Sequence, residues 1–80
     1  MKTSMPDLIE KLNELQNHII DDSEYAKGYD SALRDCINVA ESYLQKEKEI
    51  NTEILEMLIR ISEYMPESDE IKQLIKKATL

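Results

Sequence analysis

Apolar residues recur along this chain at spacings of three and four, and nowhere do they alternate convincingly with polar ones over five residues. The pattern predicts helices and no strands. Leu8, Ile9, Leu12, Leu15, Ile19 and Ile20 form one stripe on a helix of roughly residues 5–19. Ser4 is placed to cap it, Asp7 can reach back as in a capping box, and Pro6 sits in the first turn, where its missing N–H is harmless. Asp21-Asp22-Ser23 is a polar break and a new start signal: Asp21 with Glu24, or Asp22 alone, would satisfy the first free N–H groups. A second helix then runs from about 23 to 46, about 36 Å at 1.5 Å per residue. Its stripe is Tyr25, Ala26, Tyr29, Ala32, Leu33, Cys36, Ile37, Ala40, Tyr43 and Leu44, within which Ala26, Tyr29, Leu33, Cys36, Ala40 and Tyr43 follow a heptad seam.

Residues 45–49 hold no apolar side chain and neither Gly nor Pro, so they fit either a solvated turn of one very long helix or a connection between two. A break near 47–51 is favoured, because Asn51 can cap and Ile50 with Leu55 can staple the entry. Ile54, Leu55, Met57, Leu58, Ile59, Ile61, Tyr64 and Met65 make the third helix apolar on most of its circumference, which predicts burial on several sides or contact with another subunit. Pro66 ends it by disfavouring helical geometry at Met65. Ser68 can cap a short last helix carrying Ile71, Leu74, Ile75 and Ala78, with Lys76 and Lys77 suited to the negative end of its dipole. The expected fold is a single all-α domain over residues 1–80: a three- to four-helix antiparallel bundle with one long central helix, oligomeric, with a dimer as the expected state.

Composition narrows the functions available. Eighty residues make one domain with a core of marginal stability, and a lone cysteine, Cys36, excludes an intramolecular disulfide. No apolar run is long enough for a membrane span, and no signal-peptide core follows Lys2, so the expected location is cytoplasmic. A net charge of −7 argues against binding a nucleic-acid backbone or an anionic membrane. Residues 1–45 carry nine acids against four Lys and Arg, so the first half could meet a basic groove as well as being a solvated face.

Candidate chemistry is sparse. His18 with Glu14 and Asp21 or Asp22 could approach a divalent metal only if the first helix continued past its expected end. Cys36 lies mid-stripe with no basic partner, as a small buried apolar residue would. Acid pairs three apart, Glu53 with Glu56 and Glu67 with Glu70, match the spacing by which all-α nucleotide pyrophosphohydrolases gather Mg²⁺, a spacing common by chance in so acidic a chain. No phosphate loop, catalytic triad or zinc spacing is present, so neither an enzyme nor a cofactor is expected.

The segment from Tyr25 to Arg34 is the most informative. Gly28 costs a helix about 1 kcal/mol relative to Ala, and with Ala32 four residues on it would let another helix or a ligand approach the backbone. Tyr25 and Tyr29 flank that small patch, each with a ring to stack and a hydroxyl to hydrogen-bond. Lys27 and Arg34 are the only Lys or Arg between residues 12 and 45. Tyr25, Lys27, Gly28, Tyr29 and Arg34 are therefore the candidate binding residues, alongside the plainer reading of a helix-packing groove.

Gly28-Tyr29 followed by Ala32-Leu33 and Asp35 resembles a motif of small helical proteins encoded by bacteriophages. The resemblance spans about a dozen residues and carries over no functional residue. It implies an accessory protein of infection, in the host cytoplasm, that binds and inhibits or modulates a host or defence protein. A second implied role is an oligomeric sponge for nucleotide signals, in which Tyr25 and Tyr29 would stack bases while Lys27 and Arg34 pair phosphates. A structural assembly subunit is the third reading.

Overall fold

The structure, a computed structural model, describes residues 4–19 and 23–79. They form four helices and, among the described residues, no strand: α1 (Met5–Asn17), α2 (Glu24–Gln45), α3 (Thr52–Tyr64) and α4 (Asp69–Thr79). The close pairs are α1 with α2, α2 with α3 and α3 with α4, so α2 is the long element gripped on two sides. Contacts at the helix ends set the directions. Tyr64 at the end of α3 meets Tyr25 and Tyr29 at the start of α2, and Tyr43 near the end of α2 donates a hydrogen bond to Glu53 at the start of α3. These helices are antiparallel.

Each helix starts where a short polar side chain can accept from a free N–H. Ser4 Oγ accepts from Asp7 N–H at 3.3 Å, Asn51 Oδ1 from Ile54 N–H at 3.3 Å and Ser68 Oγ from Ile71 N–H at 3.4 Å. For α2 the capping residue is Ser23, whose Oγ accepts from Ala26 N–H at 3.1 Å. The sequence pointed instead to Asp21 or Asp22, which lie outside the described residues. α1 ends at Asn17, two residues earlier than its apolar stripe suggests, with His18 as its C-cap.

The connection between α2 and α3 is a break. Glu47 takes a left-handed backbone with φ of 57°. Its N–H donates to Leu44 C=O at 3.1 Å, and Lys48 N–H donates to Tyr43 C=O at 2.8 Å. This pair of bonds is a complete Schellman motif, with glutamate where glycine usually stands. A continuous helix from 23 to 64 would be about 60 Å long, whereas the longest dimension of the molecule is 36 Å. Ile50, just before the Asn51 cap, is buried, as a stapling residue should be.

The core is one cluster drawn from all four helices. Leu8 and Leu12 of α1, Leu33 and Cys36 of α2, Ile54, Leu58 and Ile61 of α3 and Ile71 of α4 are essentially inaccessible. The heptad seam of α2 is the buried face from Ala26 to Ala40, and only Tyr43 at its end is half-buried. Two expectations change. Tyr25 and Leu44, at the two ends of the α2 stripe, are exposed. Helix α3 is buried on one face and not most of the way round: Leu55, Met57 and Tyr64 are partly covered, while Ile59 stays 49% exposed. Across α1 and α2, Asp30 ties the pair by accepting from Gln16 Nε2 at 3.1 Å while pairing with Arg34 Nε at 2.9 Å. No helix among the described residues is long and apolar enough to cross a membrane.

Two measurements check this architecture. Replacing Glu47 by Gly relieves a left-handed non-glycine residue and should stabilise the protein by about 0.5–1 kcal/mol, a rise of a few degrees in Tm; a helix running through residue 47 would instead lose about 1 kcal/mol. Burial pushes the Cys36 thiol from 9.0 up to about 12. A raised folded pKa means stability intact below pH 9 and lost as pH climbs from 9 toward 12, at a limiting slope of about 1.4 kcal/mol per pH unit. Denaturant midpoints at pH 8 and pH 10.5 should therefore diverge by more in the wild type than in Cys36→Ala.

Candidate functional site

The start of α2, the end of α3, the end of α1 and the start of α4 meet at one end of the bundle. Gly28 explains how they come so close. A Cβ placed there would lie 3.0 Å from both Cε1 and the hydroxyl of Tyr64 and 3.2 Å from its Cζ. The phenol of α3 thus lies against the bare backbone of α2. Tyr25 meets the Tyr64 ring edge-on, with centroids 5.7 Å apart and planes at 66°, and Tyr29 lies 6.4 Å away at 44°. Both distances fall in the range of favourable aromatic pairs. The close approach at Gly28 anticipated from sequence is therefore made by the protein's own third helix. Tyr64, read from sequence only as the last part of an apolar stripe, is the residue that fills the patch.

The five residues singled out from sequence separate into two groups. Tyr25, Gly28 and Tyr29 come together around Tyr64. Lys27 and Arg34 do not join them: with 3.6 residues per turn they sit roughly 140–160° around α2 from Tyr29. Both are exposed, and Arg34 is engaged with Asp30. Tyr29 is 5% exposed and Tyr25 53%.

Beside the tyrosine cluster opens a cleft of about 360 Å³. Its walls are Leu15, His18 and Ile19 from α1, Tyr25, Ala26 and Tyr29 from α2, and Met65, Ser68 and Glu70 from the α3–α4 turn and α4. Met65, the residue that Pro66 forces out of helical geometry, is 42% exposed. The cleft is thus apolar inside, with His18 on one side and Glu70 on the other. Burial, then the negative charge of Glu70, then Tyr25 raise the Tyr29 phenol above its usual value, so it stays a protonated hydrogen-bond donor well into the alkaline range.

Glu70 also lines a second groove, of about 320 Å³, between α1 and α4, with Asp7, Glu10, Lys11, Glu14, Gln73, Leu74 and Lys77. Lys11 is occupied there by Glu14 at 3.3 Å. Among the described residues no three His, Cys, Asp or Glu side chains gather closely enough to hold a metal ion. Glu53, one of the acids spaced for Mg²⁺, accepts a hydrogen bond from Tyr43, and Cys36 is sealed in the core. On the outer side of α3, Ile59 with the half-buried Leu55 one turn earlier makes a small apolar flank. A stable dimer covers about 800 Å² per partner, and this flank alone supplies little of it.

The Gly28–Tyr64 contact makes a quantitative prediction. In a Tyr64→Ala background, Gly28→Ala should raise stability by about 1 kcal/mol, the ordinary helix preference of alanine. In the wild type the ring should take back most of that gain, so the two substitutions should couple by at least about 0.5 kcal/mol in a double-mutant cycle. Equal gains in both backgrounds would show that the ring does not rest on Gly28.

Compared with protein-family models, curated proteins and solved structures, the chain finds no match.

Proposed function

We propose that this chain is a non-enzymatic interaction protein that binds and modulates a protein partner, taking an apolar side chain of that partner into the cleft between Tyr25 and Met65. The observation that carries the reading is the exposure of these two residues, 53% and 42%, on the walls of one cleft beside an otherwise closed core. Tyrosine and methionine are favoured at interfaces for different reasons. The first offers a rigid ring with a polar tip, and the second adapts its shape to what it meets. At about 360 Å³ the cleft is near the lower end of small-ligand sites, which span about 300–1,000 Å³. An anchoring side chain suits such a space, and a few central anchors usually carry most of an interface's energy.

The phage-motif resemblance directs the choice of partner toward a host or defence protein. Part of that motif has a packing role in its own right, since Gly28 makes room for Tyr64 while Ala32 and Leu33 are core. The nucleotide-sponge reading draws no support from this geometry. Within one chain the tyrosines and the two cations lie on opposite sides of α2, so that reading needs the cations of a second subunit across a symmetric interface.

The test is affinity capture from a bacterial lysate with the wild type beside a Tyr25→Ser, Met65→Ser double variant whose helicity and Tm are checked first. A stoichiometric protein retained by the wild type and lost, by tenfold or more, from the variant is the expected result. Equal capture by both proteins, or no stoichiometric partner for either, would overturn the reading.

A further inference from the structure

We propose that the docking element is a cationic amphipathic helix of about 13 residues, lying along the seam between α1 and α4 with one large apolar side chain seated between Tyr25 and Met65. This rests on the interaction reading above and names the chemistry of its partner.

The fold supplies a place for such a helix. The close helix pairs run in sequence order from α1 to α4, and the fourth side of the bundle, between α1 and α4, carries a groove of about 320 Å³. The surface between two neighbouring helices is where a third helix packs its ridges. Helix α1 has 13 residues and spans about 20 Å, which sets the length of the occupant. Glu70 lines both this groove and the tyrosine cleft, so the two adjoin at that residue. A helix resting on the seam would reach the cleft with its end.

Charge selects the kind of helix. Asp7, Glu10 and Glu14 of α1 and Glu70 of α4 outnumber Lys11 and Lys77 along the seam, and the Lys11–Glu14 pair leaves Asp7, Glu10 and Glu70 against Lys77. Carboxylates alone describe a solvated face. Here they share the groove with Leu74 and lead to an apolar cleft with two exposed anchors. A helix whose apolar stripe is bordered by Lys can set that stripe on Leu74 and in the cleft while its Lys meet the carboxylates. The occupants that compete for the site fit less well. A second copy of the chain would bring the same carboxylates together in a molecule of net charge −7, and a nucleic acid would meet the same repulsion.

The probes are three fluorescein-labelled 14-residue peptides: an amphipathic helix of Leu and Lys, a scramble of the same composition with no apolar face, and the first peptide with Glu for every Lys. Each is titrated into the ¹⁵N-labelled full chain and followed by anisotropy and by amide shifts. Support is binding of the first peptide at least tenfold tighter than either control, with shifts at Leu15, Ala26 and Leu74. That affinity should drop about tenfold in Tyr25→Ala and in the Glu10→Gln, Glu14→Gln double variant, and weaken several-fold between 50 and 500 mM salt. Equal binding of the scramble, shifts confined to α3, or indifference to both variants would overturn the proposal. So would a light-scattering mass of twice 9.3 kDa that Tyr25→Ala reduces by half, because the occupant would then be a second copy. A partner captured through Tyr25 and Met65 whose binding ignores salt and the Gln variants would overturn the cationic helix while leaving the interaction reading in place.

Discussion

The resting of the Tyr64 ring on the backbone of Gly28 is the contact from which the arrangement at the cleft end follows. It brings the end of α3 onto the start of α2 at a distance no side chain on residue 28 would permit without displacement. Tyr25 and Tyr29 then both pack against the ring. With Tyr64 fixed, the chain turns at once at Met65 and Pro66, because proline disfavours a helical residue before it. Ser68 starts α4 one short turn later, its N–H bonded to Met65 C=O at 3.1 Å, and this puts Glu70 on the rim of the cleft. The helix penalty of one glycine is thus offset by an aromatic contact that sets the register of two helices.

The opposite end is held by different means. Tyr43 reaches from α2 to Glu53 of α3, the Lys48 ammonium lies 5.4 Å from the Tyr43 ring centroid, and the Schellman bonds close the last turn of α2. The Glu53 carboxylate, by accepting that hydrogen bond, raises the Tyr43 phenol above its usual value. One end is therefore closed by rings and bare backbone and the other by polar groups at the surface. The apolar end carries the cleft walled by Tyr25 and Met65, and an aromatic side chain turned partly outward is a natural source of it.

Much of this fold was legible in the sequence because it is written in local signals. Ser4, Asn51 and Ser68 announce helix starts through chemistry confined to three or four residues, and Pro66 announces a stop. The seam from Ala26 to Ala40 declares its buried face by spacing alone. The rest depends on partners distant along the chain. Nothing local to α3 says that Ile59 is left out while Leu58 is wholly covered, since that depends on which of its sides meets α2 and α4. Likewise Lys27 and Arg34 looked like companions of Tyr29 because they are near it in sequence, and a helix separates near neighbours by turning them to different sides. Gly28 showed that something approaches closely, and only the fold could show that it is Tyr64.

Cys36 has a consequence of another kind. It is the chain's single thiol, fully enclosed where α2 faces its neighbours. Reagents can reach it only when a helix lifts away, so the rate at which a thiol probe labels the native protein reports how often the bundle opens. The protein carries a built-in reporter of its own breathing. For the same reason its folded form has no accessible thiol to offer a disulfide crosslink.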